Sequence, residues 1–211
     1  MKKELIIDKS KAQLVILAGG QSRRFGGGFK TLQKFNDKSV LKRILNNYKN
    51  LDIDIALNIN SNEVEFSKTG LDLIKDEIKN FQGPLAGIYS SIKWILKNNK
   101  NIEWILTTPS DTPFLFAKII NKFFKTEFKE TTKIILAKNS NKIHPVIGLW
   151  HVSLLGKLEE FLKKEDRKIM NWVKLQNYEL LNFENKNHFF NINTKLDLHE
   201  ATKIEKSFKI V

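Results

Sequence analysis

Gln13-Leu14-Val15-Ile16-Leu17-Ala18-Gly19-Gly20-Gln21-Ser22-Arg23-Arg24-Phe25-Gly26-Gly27-Gly28-Phe29-Lys30 is the stretch that decides the fold. Residues 13–17 form a short apolar run rich in branched side chains and closed by two glycines, the pattern of a buried strand. Five glycines then fall within residues 19–28, an arrangement costly in backbone entropy on folding. A glycine-rich loop directly after a strand lets backbone N–H groups surround phosphate oxygens without side-chain obstruction. Arg23, Arg24 and Lys30 add positive charge around the same anion: arginine grips phosphate through two donors, and lysine acts as a mobile point charge. The plain alternative is a surface turn with incidental basic residues. The loop's place after the strongest strand argues against it. The spacing matches neither the Walker loop nor the dinucleotide glycine pattern.

Further along the chain, helical and extended patterns alternate. Apolar residues at 40, 41, 44, 45 and 48 have helical spacing. Residues 53–59 and 71–74 read as strands. Gly83-Pro84 punctuates a turn, and a helix over 85–97 begins just after the proline, which suits a first-turn position. A strand is expected at 102–106, a helix at 114–124, and strands at 133–137 and 146–150. Helices follow over 153–162 and 168–175, then a short strand at 189–192 and a terminal helix near 196–208. This alternation predicts an α/β fold in three layers, a mostly parallel sheet with helices on both faces. Length and the absence of linkers predict a single domain over 1–211. Ligands in such folds bind beyond the C-terminal ends of strands.

Composition narrows the chemistry. Among 211 residues there is no cysteine, so disulfides, thiolate nucleophiles and cysteine-ligated zinc are excluded. Four histidines are scattered, and a metal is expected to be a hard cation on carboxylate and phosphate. No run approaches the roughly 20 apolar residues of a membrane span, and the start lacks a secretory pattern. A cytoplasmic protein with no membrane partner is the simplest expectation. The net charge of +13 favours an anionic partner. The lysines are spread along the whole chain without a dense arm or stacking-rich repeat, so no nucleic-acid partner is expected, and a generally basic surface explains the charge equally well.

Two strand ends carry candidate chemistry. In Thr107-Thr108-Pro109-Ser110-Asp111-Thr112-Pro113-Phe114, Asp111 lies between two prolines that restrict the loop. A carboxylate fixed there is placed to hold Mg²⁺ against substrate phosphates, or to cap the following helix. In Asn191-Ile192-Asn193-Thr194, strand alternation would turn both asparagines to one side, where two amides could bond a polar ring or a metal-bound phosphate. A turn with a helix cap is the alternative.

The loop at 17–30 resembles the signature of sugar-nucleotide-type nucleotidyltransferases, and within them the molybdenum cofactor guanylyltransferase family. That family usually reads Leu-Ala-Gly-Gly-x-Ser-x-Arg-Met-Gly-x-x-Asp-Lys, matched here at Leu17, Ala18, Gly19, Gly20, Ser22, Arg24, Gly26 and Lys30. Phe25 stands for the methionine. Phe29 stands where the family has an acidic residue, a departure that removes a carboxylate from the edge of the triphosphate site. The segments Ser110-Asp111-x-Pro113-Phe114, Gly83-Pro84-Leu85-Ala86-Gly87-Ile88, His144-Pro145-x-x-Gly148-Leu149 and Asn191-x-Asn193-Thr194 resemble the family in the same order. The resemblance implies a Rossmann-like, nucleotide-diphospho-sugar transferase-like fold. It implies transfer of GMP from GTP to the terminal phosphate of molybdopterin, with release of pyrophosphate and with Mg²⁺ on Asp111. It assigns Lys30, Arg24 and Asp111 to catalysis. Leu17, Ala18, Gly19, Gly20, Lys30, Asn58, Asp76, Gly83 and Asp111 go to the nucleotide. Asp76 is the expected guanine reader, because one carboxylate can accept both N1–H and N2–H of that base; Asn60 and Asn62 are neighbouring alternatives to Asn58. The resemblance also implies a nucleotide-binding half at about 11–115 and an acceptor half at about 116–200. His144, Arg167, Asn191 and Asn193 are assigned to the acceptor. Transient complexes with molybdenum-insertion or molybdoenzyme-chaperone proteins are also implied. The alternatives are a related enzyme that uses CTP or another phosphorylated acceptor, and a non-catalytic cofactor-binding relative.

Overall fold

The computed structural model describes residues 4–19, 29–61, 64–78, 83–164 and 168–209. In chain order its first half holds β1 (Glu4–Leu5), β2 (Ala12–Leu17), β3 (Lys34–Phe35), β4 (Lys38–Ser39), α1 (Val40–Tyr48), β5 (Ile55–Asn58), α2 (Val64–Ser67) and β6 (Asp72–Ile74), then α3 (Pro84–Asn98) and β7 (Trp104–Pro109). The second half holds α4 (Ala117–Lys125), β8 (Phe128–Lys129), β9 (Ile134–Asn139), β10 (Lys142–His151), α5 (Leu155–Leu162), α6 (Ile169–Val173), β11 (Tyr178–Phe183) and α7 (Lys195–Lys209).

Seven strands make the central sheet, in the order β11-β9-β10-β7-β2-β5-β6. β2 lies parallel to both β5 and β7, β5 to β6, and β11 to β9. β10 runs antiparallel to both its neighbours. Its direction follows from the connection: only Ser140 and Asn141 separate β9 from β10, Ser140 has φ 49°, and a two-residue link permits only an antiparallel hairpin.

Helices cover both faces because the strands are apolar on both sides. Leu14 and Ile16 of β2 join one core with Val40, Leu41 and Ile44 of α1, Phe123 of α4 and Ile204 of α7. Val15 points the other way, into a core with Ile88 and Ile92 of α3, Leu158 of α5 and Trp172 of α6. Local signals set the helix starts. Ser39 accepts the Lys42 N–H at 3.2 Å and caps α1. Pro84 occupies the first turn of α3, where its missing N–H is not needed.

The structure corrects three expectations. Residues 189–192 are not a strand: Lys186–Phe189 is a short 3-10 turn, and the extended chain after it pairs with no strand. Its Ile192 N–H bonds instead to the Asp111 carbonyl at 2.9 Å. The last strand is β11, whose sequence Tyr-Glu-Leu-Leu-Asn-Phe breaks the period-2 pattern with adjacent leucines. The helix expected from Phe114 starts at Ala117, because Phe114 and Leu115 are buried as loop residues in the core.

Within β10 the pairing with β9 shifts between His144 and Gly148. A side chain at Gly148 would start 2.3 Å from the Ile135 carbonyl oxygen. Only glycine allows the two strands that approach.

Candidate active site

The ends of β2, β5 and β7 are stitched together by backbone bonds. Ala18 N–H donates to the Asn58 carbonyl at 2.8 Å, and Ser110 N–H donates to the Leu17 carbonyl at 3.1 Å. These links gather the residues after each strand at one edge of the sheet.

At the β5 end, Asn58 is buried and donates to Asp76 Oδ1 at 2.8 Å and to the Ile74 carbonyl at 3.2 Å. Asn60 donates to Asp76 Oδ2 at 2.7 Å and accepts the Asp76 N–H at 2.8 Å. Asp76 is thus held by both asparagines. Each carboxylate oxygen keeps a lone pair for a further donor. Gly19 faces this group: a side chain there would begin 3.8–4.0 Å from Asn60, Asn58 and Asp76. Gly87 on α3 is tighter, since an added Cβ would lie 2.5 Å from Asn58 Oδ1. Gly83, also assigned to the nucleotide by resemblance, caps α3 in open space with an extended φ of 166° that any residue adopts.

At the β7 end, Asp111 is 8% exposed. It caps no helix: Phe116 is the N-cap of α4 and makes no side-chain cap bond. The Lys30 ammonium pairs with Asp111 Oδ2 and donates to Asn193 Oδ1 at 3.0 Å. The Thr112 hydroxyl lies 3.2 Å from Asp111 Oδ1 and 3.1 Å from Asn191 Oδ1. Thr31, next to Lys30, donates to the Ser110 carbonyl at 3.0 Å. Asn47 of α1 donates to the Pro113 carbonyl at 2.6 Å. Asp197 accepts the N–H groups of Asn193 and Thr194 at 2.8 Å each, and Thr194 Oγ1 accepts the Asp197 N–H at 3.2 Å. This reciprocal cap fixes the start of α7 and the asparagines before it.

Asn191 and Asn193 also line an open cavity of about 830 Å³ with His144, Lys142, Lys186 and Lys203. The asparagines point to one side as expected, because alternation holds in extended chain even without a sheet partner. The His144 ring stacks on Phe189 with centroids 4.3 Å apart. Burial, and next the Lys142 charge, push its pKa down to about 4, so the ring is neutral near pH 7. Its buried Nε2 has no hydrogen-bond partner, a cost that a polar ligand group would relieve.

Arg24, Gly20, Asn62 and Arg167 lie outside the described residues. Sequence reasoning missed Thr31, Thr112, Lys142, Lys186 and Lys203. Thr31 and Thr112 border Lys30 and Asp111, which the sequence singled out. The lysines gave no signal, because the cavity joins a hairpin, a 3-10 turn and α7 from distant parts of the chain.

The donor set suits a hard cation. Among the described residues no three His, Asp or Glu side chains cluster, so a cage made by protein alone is absent there. One buried carboxylate, a hydroxyl and two amide oxygens are oxygen donors of the kind Mg²⁺ accepts together with substrate phosphates. Asp111 already holds a cation, the Lys30 ammonium.

The sheet order, the glycine-bearing end of β2 and the lone carboxylate at the end of β7 define a Rossmann-like α/β protein with the nucleotidyltransferase fold. Residues 14–180 match the model of the MobA-like NTP transferase domain, and the chain belongs to that family. It is 34% identical over 203 residues to the molybdenum cofactor guanylyltransferase of Nitrobacter hamburgensis, covering 95% of this chain and 97% of that one. The Haemophilus influenzae molybdenum cofactor guanylyltransferase is 34% identical over 188 residues, covering 89% and 95%. The crystal structure of molybdopterin-guanine dinucleotide biosynthesis protein A from Archaeoglobus fulgidus superposes with a TM-score of 0.71 at 20% identity, over 92% of this chain and 99% of that one. That likeness is one of fold. Family membership supports nucleotidyl transfer as the activity.

Proposed function

We propose that this protein transfers GMP from GTP to the terminal phosphate of molybdopterin. The observation that carries the reading is the Lys30–Asp111 pair, tied through Asn193 to the cavity that His144 lines. A nucleotide phosphate at the glycine end and an acceptor phosphate in the cavity would meet there. The names of the curated relatives support guanine as the base and molybdopterin as the acceptor.

In the reaction an oxygen of the acceptor phosphate bonds to the α-phosphorus, the bond from that phosphorus to the bridging oxygen breaks, and pyrophosphate leaves with the electron pair. The nucleophile is already anionic, so no Ser, Cys or His nucleophile is required. Catalysis rests on alignment and charge neutralisation. Asp76, steadied by Asn58 and Asn60, accepts from the guanine edge. Lys30 turns from Asp111 to the phosphates and offsets charge growing on the leaving group, in concert with Arg24. Asp111 and the hydroxyl and amide oxygens around it would hold Mg²⁺. When bound, the ion supplies further charge neutralisation to the phosphates. Asn191, Asn193 and His144 orient the acceptor, the imidazole through its unpartnered Nε2, and Arg167 belongs to the same side by resemblance.

The test is direct. Protein, Mg²⁺ and molybdopterin are incubated with GTP, CTP or ATP in parallel, and pyrophosphate and the dinucleotide product are measured. Release with GTP is the expected result. Release with CTP alone would keep the chemistry and change the product. No release with any nucleotide, despite binding, would overturn the catalytic reading.

A further inference from the structure

Phe29 directly precedes Lys30, and its ring is packed, not free. It meets Phe66 edge-on, with ring centroids 5.2 Å apart and planes at 90°. Phe66 belongs to α2 and is fully buried in the core that also holds β2 and α1. Edge-to-face aromatic pairs are attractive beyond the area they bury. The Phe29 backbone is extended, with φ −94° and ψ 123°, and opens the 3-10 turn Lys30–Leu32. Its carbonyl accepts the Leu32 N–H at 3.0 Å, and the Lys30 carbonyl accepts the Gln33 N–H at 3.1 Å. The turn from which Lys30 projects is therefore held on two sides: by the aromatic pair, and by the Thr31–Ser110 bond at 3.0 Å.

The chemistry needs the Lys30 ammonium at the phosphates. It makes no use of a benzyl group at position 29. We propose that Phe29 is a positioning residue for Lys30, its ring anchored on Phe66 so that the ammonium is delivered from a fixed backbone. This rests on the reading of Lys30 as a nucleotide ligand. A freely rotating lysine loses much side-chain entropy on engaging phosphate. Fixing its backbone removes part of the ordering that binding must otherwise accomplish. The aromatic anchor then does by packing what no carboxylate at position 29 is present to do, so Phe29 is not a defect in the loop.

The experiment compares wild type with Phe29→Ala, Phe29→Tyr and Phe29→Asp. Calorimetry gives the Kd for Mg-GTP, turnover separates KM from kcat, and amide exchange at Leu32 and Gln33 is followed without ligand. Phe29→Ala should raise both Kd and KM for GTP roughly fivefold, the scale of one aromatic pair, and lower kcat as well, because Lys30 also offsets charge growing on the leaving group, with both amides exchanging faster. Phe29→Tyr, which keeps the ring, should behave as wild type. Phe29→Asp should weaken GTP binding as alanine does. The ring is only half-buried, so these variants should fold. A Phe29→Ala protein with unchanged GTP affinity and unchanged exchange would overturn the proposal, as would tighter binding in Phe29→Asp. A wild type that binds no nucleoside triphosphate would instead overturn the nucleotide reading on which the proposal stands.

Discussion

The Lys30 ammonium donates to the Asn193 side-chain oxygen at 3.0 Å, joining residues 163 positions apart in the chain. Through the same ammonium, Asn193 is one step from Asp111. The glycine-loop exit, the carboxylate loop after β7 and the entry to α7 therefore meet at a single charged group. A ligand that draws Lys30 away frees an oxygen on each partner.

The first prediction concerns Asp111. Asp111→Asn keeps the shape of the side chain and its bond to Thr112 while removing the charge. Turnover supported by Mg²⁺ should fall by about 10²–10³-fold, the range seen when one electrostatic contact to a transition state is lost. Affinity for GTP without metal should change little. Pyrophosphate release, with circular dichroism to establish folding, decides it, and unchanged turnover would remove Asp111 from the site.

Lys30→Ala has a consequence beyond catalysis. In the free protein it leaves Asp111, whose side chain is 11% exposed, without its positive partner. Uncompensated carboxylates in such surroundings destabilise by about 1–3 kcal/mol. The melting temperature should drop, and millimolar Mg²⁺ should restore more of it than it adds to wild type, because a metal can take the ammonium's place. Thermal melts with and without Mg²⁺ measure both. An equal Mg²⁺ response in the two proteins would argue against a shared cation position.

How far the sequence carried the site depended on distance along the chain. Residues 13–17 are apolar enough on both faces to be read as a buried strand, and that reading orders the whole sheet. The carboxylate between Pro109 and Pro113 was legible because the prolines limit what the loop can do. Asn60 stands two residues from Asn58 in the sequence, yet nothing local says that both bond the same carboxylate. The strand Tyr178–Phe183 was invisible because its pairing with β9 lies in the partner, not in its own pattern. The cavity lysines were invisible for the same reason: Lys142, Lys186 and Lys203 converge only once α7 docks.

Gly87 offers a test of the base pocket from behind. Alanine in place of a helical glycine normally stabilises a helix interior by about 1 kcal/mol. Here the added methyl would sit 2.5 Å from Asn58 Oδ1, forcing that amide off Asp76 or shifting α3, a strain of about 1–3 kcal/mol. Global stability should barely change, while GTP affinity falls and discrimination against ATP and CTP narrows. Competition binding with the three nucleotides is the measurement. Intact discrimination would show that Asn58 does not steady the base reader.

Asp76→Asn tests that reader itself. The amide keeps one acceptor oxygen but replaces the other by a donor, which would face the guanine N–H groups. Preference for GTP over ATP should fall by roughly 10–100-fold, as expected when one charged hydrogen-bonding group is mismatched. Triphosphate affinity common to all nucleotides should persist through Lys30. A general loss across all three nucleotides would mark Asp76 as a structural residue of the β6 end.

The last prediction follows from His144. Its pKa is lowered from 6.5 to about 4, first by burial and then by Lys142. As pH falls from 6.5 toward 4, the unfolded chain takes up a proton at this residue and the folded protein does not. Stability therefore rises with pH across that window, and it is lost progressively as pH drops from 6.5 toward 4. His151 and His188 have their pKa values lowered too, burial being the first cause in each, and they act in the same sense. Melting temperature followed from pH 7.5 to 4 should decline below about 6.5. His144→Gln should flatten part of that decline, because glutamine cannot take up the proton. A parallel curve for His144→Gln would mean that His144 is no less basic folded than unfolded. Within pH 7 to 8 the imidazole stays neutral, so acceptor KM should not vary there through this residue, and its dependence on His144→Gln should be the same at both ends of that range.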